Sequence, residues 1–161
     1  MSEDGLLSFV DAWSVDIEAP PGIVWEALLV SGPAAGDGLG RRLWGRILGC
    51  DPRDSNGLAP HRIGAERPGF AVCESVPPAT YALAGRHRFA RYQLVFRISQ
   101  RGSAGSRLTA ETFASFPGIP GRLYRTIVID AKPHALVMWI TVRLLRRRAE
   151  RLARRQDARS A

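Results

Sequence analysis

Four apolar-alternating segments between residues 70 and 116 are separated by connections too short to hold a helix. In the third segment, every second residue belongs to one series, which includes Tyr92, Leu94 and Phe96. This two-residue period is typical of a strand with one buried face. Antiparallel strands can be joined by tight hairpins, whereas parallel strands need long crossovers. The sequence therefore predicts an antiparallel meander of FAVCESV (70–76), TYALAGR (80–86), RYQLVFRIS (91–99) and SRLTAETFASF (106–116).

One further strand is predicted near the start of the chain. The apolar residues that define it lie at odd-numbered positions, and the charged residue Asp11 occupies one position of the same series. We expect this side of the strand to face the core, with Asp11 as a break in the pattern. The apolar residues are Phe9, Trp13, Val15 and Ile17.

Two short helices are predicted between this strand and the meander. Pro21 suits the first turn of a helix, and the apolar residues after it fall at helical spacing around Trp25. The glycine-rich stretch SGPAAGDGLG (31–40) ends that helix. RRLWGRIL (41–48) predicts the second helix, with inward residues Leu43, Trp44, Ile47 and Leu48.

The last forty residues change to a helical period. An apolar stripe spaced at three and four residues predicts one amphipathic helix. Pro133 lies inside this pattern, so we expect a kink or break near Lys132, with Pro133 starting the second segment. The stripe consists of Ala131, Ala135, Met138, Val142, Leu145, Ala149 and Leu152.

The positive charge is concentrated in the end of this helix, from about residue 143. The whole chain has a net charge of +8, and from Arg143 onward eight arginines stand against Glu150 and Asp157. The basicity thus belongs to one terminal segment, and a solvated helix end is the leading interpretation. A weak contact with an anionic membrane is left open, and nucleic acid is not expected because no aromatic residue follows Trp139.

Composition points to a single domain over residues 1–161. The chain is 45% hydrophobic, which suffices for a core that needs no disulfide bond or metal ion to stabilise it. Cys50 and Cys73 give no disulfide framework, and the histidines and cysteines are scattered singly, so no metal or cofactor is expected. The longest apolar run is short and the start is acidic rather than signal-like, so a cytoplasmic location is expected.

This order of elements resembles the START-like superfamily, also called SRPBCC. The similar stretches are VDIEAPPGIVWEALL (15–29), ESVPPATYALAGRHRFARYQLVF (74–96) and FPGIPGRLYRTIVI (116–129), followed by the long basic helix. The resemblance implies an α+β helix-grip fold, in which a curved antiparallel sheet wraps around a long C-terminal helix, with two short helices after the first strand. It also implies an internal apolar cavity. Members bind lipids, sterols, polyketides or other hydrophobic molecules, and some are cyclases or dehydratases.

Candidate site residues follow from strand parity and from this resemblance. The first hypothesis is binding of a small hydrophobic or amphipathic molecule between the sheet and the C-terminal helix. The alternative is an enzyme of the polyketide cyclase or dehydratase type, with His134 or His87 moving protons while Tyr92 and Thr112 orient a carbonyl. The predicted ligand-binding residues are Trp25, Tyr92, Leu94, Phe96, Ala110, Thr112, Tyr124, Ile127, His134 and Met138.

Overall fold

Six strands and four helices make up the part of the chain that the computed structural model describes, which is residues 6–35, 39–127 and 133–160. The strands are β1 (Ser8–Ile17), β2 (Glu66–Arg67), β3 (Phe70–Val76), β4 (Thr80–His87), β5 (Ala90–Arg101) and β6 (Gly105–Ser115). The helices are α1 (Pro21–Ser31), α2 (Leu39–Leu48), α3 (Gly118–Arg125) and α4 (Pro133–Ser160).

The strands form one antiparallel sheet in the order β1-β6-β5-β4-β3-β2. Sequential pairing of β3, β4, β5 and β6 confirms the predicted meander, and β1 adds to its end beside β6. Phe96 lies opposite Tyr81 on one side and Ala110 on the other, and all three are fully buried. Since β1 and β2 are the two edges, the sheet is open and curves around α4 as an α+β helix-grip fold.

The predicted corner between β1 and α1 is confirmed. Pro21 occupies the first turn of α1, as its missing backbone donor allows. The Trp25 ring packs edge-on against Tyr81 at a centroid distance of 5.7 Å. The buried hydroxyl of Ser106 donates a 2.6 Å hydrogen bond to the carbonyl oxygen of Ala19. The corner is thus tied to β6 by a polar contact and to β4 by an aromatic one.

Helix α4 lies across the sheet with one face buried. It packs against α1 and β1, and Pro133 is its first residue, in agreement with the predicted break. Ala131 and Lys132 of the predicted pattern lie outside the described residues. The buried stripe agrees with the predicted one over most of its length and consists of Met138, Val142, Leu145, Ala149 and Ala153.

The predicted orientation of Phe9 is wrong. The register between β1 and β6 shifts between Phe9 and Asp11, because one extra residue is accommodated in β1. A single extra residue turns the preceding side chains to the other face of a sheet. The Phe9 side chain is therefore 61% exposed, whereas Asp11 shares the inner face with Trp13.

The predicted inward face of α2 is wrong at two positions. Leu43 and Ile47 are exposed, Leu48 is half-buried, and the side chain of Trp44 lies outside the described residues. Among the residues of α2 whose burial is described, Gly45 is the buried one, next to Pro68 and Cys50. Its lack of a side chain permits a close approach of the backbone at this point.

Candidate ligand-binding site

Three polar side chains meet on the inner face of the sheet beneath the start of α4. The Nε2 atom of His134 lies 3.1 Å from Oγ1 of Thr112 and 3.5 Å from Oδ1 of Asp11. The indole Nε1 of Trp13 donates a 3.1 Å hydrogen bond to Oδ2 of Asp11. We call Asp11, Thr112 and His134 the polar cluster, which joins β1, β6 and α4.

One acceptor in the polar cluster has no hydrogen-bond partner. Oδ1 of Asp11 is buried, and in the described part of the chain nothing donates to it with hydrogen-bond geometry. The side chains of Asp11 and His134 are 22% and 19% exposed, so the polar cluster lies close to the surface although Oδ1 itself is buried. Because a buried unsatisfied oxygen costs ~1–3 kcal/mol, this atom is a natural acceptor for a donor on a bound molecule.

A groove of about 520 Å³ runs between the edge strand β1 and helix α4. Trp13 belongs both to this groove and, through its bond to Asp11, to the surroundings of the polar cluster. Apolar side chains of β1 and α4 line it together with charged side chains of α4, which we call the rim. The lining residues are Trp13, Ser14, Val15, Trp139, Val142, Arg143, Arg146, Arg147 and Glu150.

The charges on the rim are only partly neutralised within the protein. Arg146 pairs with Glu150 through a 2.8 Å contact from Nε to Oε1. The guanidinium of Arg143 lies 4.2 Å from the centre of the Trp139 ring, a cation–π arrangement. These contacts hold Trp139 and Arg143 in place, so the groove offers an ordered apolar wall beside a positive charge.

The second histidine candidate, His87, lies in an aromatic cluster at the end of the β4–β5 hairpin. Its ring centroid is 4.9 Å from that of Tyr124 and 5.5 Å from that of Tyr92. The backbone N–H of Phe89 donates a 3.1 Å hydrogen bond to Nδ1 of His87. Phe89 also stacks on Tyr124 at 5.5 Å. We call His87, Phe89, Tyr92 and Tyr124 the aromatic cluster.

Two polar atoms of the aromatic cluster, His87 Nδ1 and the Tyr92 hydroxyl, form hydrogen bonds within the fold. Burial lowers the pKa of His87, and its Nδ1 already accepts a backbone hydrogen, so the ring is neutral at pH 7. Burial raises the pKa of Tyr92 and of Tyr124. The Tyr92 hydroxyl donates a 2.7 Å hydrogen bond to the carbonyl oxygen of Gly69. The aromatic cluster therefore stabilises the hairpin through ring packing and these two hydrogen bonds.

The same hairpin borders a larger, polar cleft of about 720 Å³ at the end of the sheet. Arg86, His87 and Arg88 contribute to it, together with the loop after α2. Arg86 pairs with Asp51 at 2.6 Å across this cleft. Because charged and polar residues make up most of its lining, the cleft does not match the apolar site that the sequence predicts.

The structure brings some of the predicted site residues together and separates others. Thr112 and His134 are in contact, whereas Tyr92 and Tyr124 belong to the aromatic cluster. Ile127 is 57% exposed, and its expected place in a cavity wall is corrected accordingly. The remaining predicted residues are buried in the core between sheet and helices: Trp25, Leu94, Phe96, Ala110 and Met138.

Several residues of the candidate site were not predicted as site residues. Asp11 was visible in the sequence as a carboxylate at an apolar position of a strand, and a buried charge at such a position is unusual. Trp13 was assigned only to the core. Trp139 and Arg143 gave no signal of their own, because the groove depends on how α4 crosses the edge of β1.

With the fold and this site described, the molecule is a helix-grip protein with a groove beside its C-terminal helix. No model of a protein family matches the chain, and no curated protein sequence is significantly similar to it. Solved structures do match.

A protein from Thermobifida fusca is 18% identical, with a TM-score of 0.54 over 88% of this chain and 93% of that one. The Mll3558 protein from Rhizobium loti is 18% identical, with a TM-score of 0.53 over 89% of this chain and 97% of that one. A conserved protein from Geobacillus kaustophilus is 14% identical, with a TM-score of 0.50 over 89% of this chain and 94% of that one. At these identities the similarity establishes a common fold alone.

Proposed function

We propose that this chain is a START-like protein that binds a small amphipathic molecule, lipid- or polyketide-like, between the sheet and α4. The observation that carries the proposal is the groove beside β1, which combines two indole side chains with a charged rim. Its volume of about 520 Å³ is within the range of small-molecule sites. The fold supports the proposal because it leaves this edge of the sheet open beside the helix.

The groove and the polar cluster suggest how such a molecule is oriented. Its apolar part lies against Trp13 and Trp139, where burial of apolar surface supplies the driving force. A hydroxyl group at one end donates to Oδ1 of Asp11, which receives no hydrogen bond from the described residues and lies beside Trp13 of the groove. Orientation is thus set by a hydrogen bond, and affinity by the indole surfaces.

Native mass spectrometry of the purified protein tests this proposal. We expect a co-purified small molecule whose occupancy is lost in Trp139→Ala, because that side chain forms one wall of the groove. Phe9→Ala is the matched control, since Phe9 is also a partly exposed aromatic residue but lies outside the groove. A molecule retained equally by both variants would place the ligand elsewhere and reject this site. A chain that carries no molecule, and whose tryptophan fluorescence does not respond to fatty acids or aromatic polyketides, would reject the function.

A second candidate is a cyclase or dehydratase acting on the bound molecule. It is favoured by one observation, the placement of His134 Nε2 within 3.5 Å of a carboxylate and 3.1 Å of a hydroxyl oxygen. A histidine held by a carboxylate and a hydroxyl group can transfer a proton to or from a bound molecule. In this candidate His134 acts as the acid or base, Thr112 and Asp11 orient it, and His87 has no part.

The molecules bound by wild type and by His134→Gln distinguish the two candidates. If the site is catalytic, the variant retains a substrate that the wild type has converted, and the two bound masses differ by one water for a dehydration. If the two proteins hold the same molecule, the chain is a binding protein and the enzyme candidate is rejected. His61→Gln is the control, since His61 is exposed and lies outside both clusters.

A further inference from the structure

Exposed side chains form one continuous stripe along the outward side of α4, and the chemical type of these side chains changes halfway along the stripe. Its members are spaced at three and four residues, so they share one face of the helix. The first half is apolar and the second half is cationic, and all of these side chains are exposed. We call this set the outer stripe: Leu136, Ile140, Leu144, Arg147, Arg151 and Arg154.

The exposure of the apolar half is not explained by the fold. Leu136 and Leu144 are 58% and 55% exposed, although the opposite face of the same helix supplies the core. Solvated leucines are unremarkable when they stand singly. Here three apolar side chains follow each other at successive turns, so they form a surface about 12 Å long at 1.5 Å per residue.

The cationic half has unneutralised charge. Among the described residues, no carboxylate pairs with Arg147, Arg151 or Arg154. Of the two acidic residues of α4, Glu150 is already paired with Arg146. At 100° per residue, Glu150 and Asp157 both fall about 60° or more from the centre of the outer stripe. The stripe therefore presents positive charge alone beyond Leu144.

We propose that the outer stripe docks on an anionic lipid surface, with α4 lying in the plane of the interface. The apolar half enters the boundary between headgroups and acyl chains, and the arginines contact lipid phosphates beside it. Charge complementarity argues for this partner, since the segment from Arg143 onward holds eight arginines against two acidic residues. Arg147 also lines the ligand groove, which faces β1, whereas the other five members of the outer stripe do not.

Two other partners fit the stripe less well. A second copy of the chain would set guanidinium groups against leucines or against other guanidinium groups, which buries unpaired charge. Nucleic acid would use the arginines but leave the apolar half in water, and no aromatic residue lies beyond Trp139 to stack on bases. Only a lipid surface offers an apolar phase and an anionic layer side by side.

Co-sedimentation with vesicles tests the proposal. We expect the full chain to bind phosphatidylcholine vesicles that contain phosphatidylglycerol and to bind pure phosphatidylcholine much more weakly. Binding falls as salt is raised from about 0.1 M to about 1 M, since the Debye length shrinks from ~10 Å to ~3 Å. The triple variant Arg151→Gln, Arg154→Gln, Arg155→Gln removes two arginines of the outer stripe and the exposed Arg155 next to them. It weakens binding by about fivefold for each arginine removed. None of these three arginines lines the groove, so ligand binding is retained.

A charge-matched control separates the stripe from general basicity. Arg53→Gln, Arg62→Gln and Arg91→Gln remove the same net charge from exposed positions on the body of the domain. We expect this control to bind vesicles nearly as well as wild type, and Leu136→Gln with Ile140→Gln to bind weakly at every salt concentration. Equal losses in the two arginine triples would overturn the proposal.

Two further outcomes would also overturn it. One is absence of binding to phosphatidylglycerol vesicles at low salt. The other is a concentration-dependent dimer, or binding to duplex DNA, that is lost in the stripe variants while vesicles are not bound. Circular dichroism and thermal unfolding of each variant establish that it is folded before its binding is compared.

Discussion

The hydroxyl of Tyr92 donates a 2.7 Å hydrogen bond to the carbonyl oxygen of Gly69, across the bare Cα of Gly85. Gly85 lies directly opposite Tyr92 in the β4–β5 ladder. A Cβ at Gly85 would overlap the Gly69 carbonyl and come within 2.8 Å of the Tyr92 ring. The absence of a side chain at one strand position thus lets a backbone segment and a phenol meet.

Gly85→Ala is therefore expected to destabilise the protein by about 1–3 kcal/mol, the usual cost of overpacking a well-filled site. The free energy of unfolding in urea measures this change. Gly22→Ala is the matched control, because nothing lies within 4 Å of a Cβ at that position in α1. The control should be neutral or more stable by up to ~1 kcal/mol. Similar losses in both variants would show that the close approach at Gly85 contributes nothing.

The contribution of α4 packing to the free energy of unfolding can be measured by substituting two adjacent leucines. Leu145 is 1% exposed and Leu144 is 55% exposed. The same truncation to alanine should therefore be costly at Leu145 and nearly neutral at Leu144. Leu145→Ala should reduce the free energy of unfolding by about 2–5 kcal/mol because it leaves a cavity. Leu144→Ala should change it by no more than ~0.5 kcal/mol. The orientation of α4 would be contradicted if the two costs were equal.

The buried ring of His87 predicts a dependence of stability on pH. Burial lowers the pKa of His87 below its ordinary value of 6.5. Below that value the unfolded chain binds a proton that the folded protein resists, so stability is present above about pH 6.5 and is lost as the pH falls through the folded pKa. We expect the wild-type Tm to fall between about pH 7.5 and pH 5.

The variant His87→Asn should flatten this fall, because its side-chain oxygen can still accept the Phe89 N–H while no imidazole remains to titrate. His61→Gln serves as the control, since its side chain is exposed. The relevant quantity is the difference in slope between each variant and wild type. A slope unchanged in His87→Asn would contradict the assignment of a neutral buried His87.

Much of the fold was predictable because it depends on local periodicity. The alternation at Leu94 and Phe96 marks a half-buried strand whatever surrounds it, and the short connections force antiparallel pairing. The spacing of Met138, Val142 and Leu145 similarly identified the buried face of α4. These signals are intrinsic to each segment, so no knowledge of its partners was needed.

The errors arose where the outcome depends on a partner element. Leu43 and Ile47 are exposed, whereas Gly45 of the same helix is buried against the domain. The helical spacing of apolar residues in α2 does not predict which of its sides packs against the domain. The groove depends on the crossing of α4 over β1, and Trp139 and Arg143 belong to it only through that crossing. Thr112 and His134 were recognised separately, but their contact joins positions 22 residues apart.

The register shift in β1 has a consequence for how this edge of the sheet can change in length. The extra residue, Val10, leaves Phe9 opposite Phe113 and Asp11 opposite Thr112, so the phenyl ring faces water and the carboxylate faces His134. Loss of Val10 would restore the regular ladder and keep both of these pairings. In a lineage of such proteins, this edge can therefore gain or lose one residue while the side chains that face the interior stay the same.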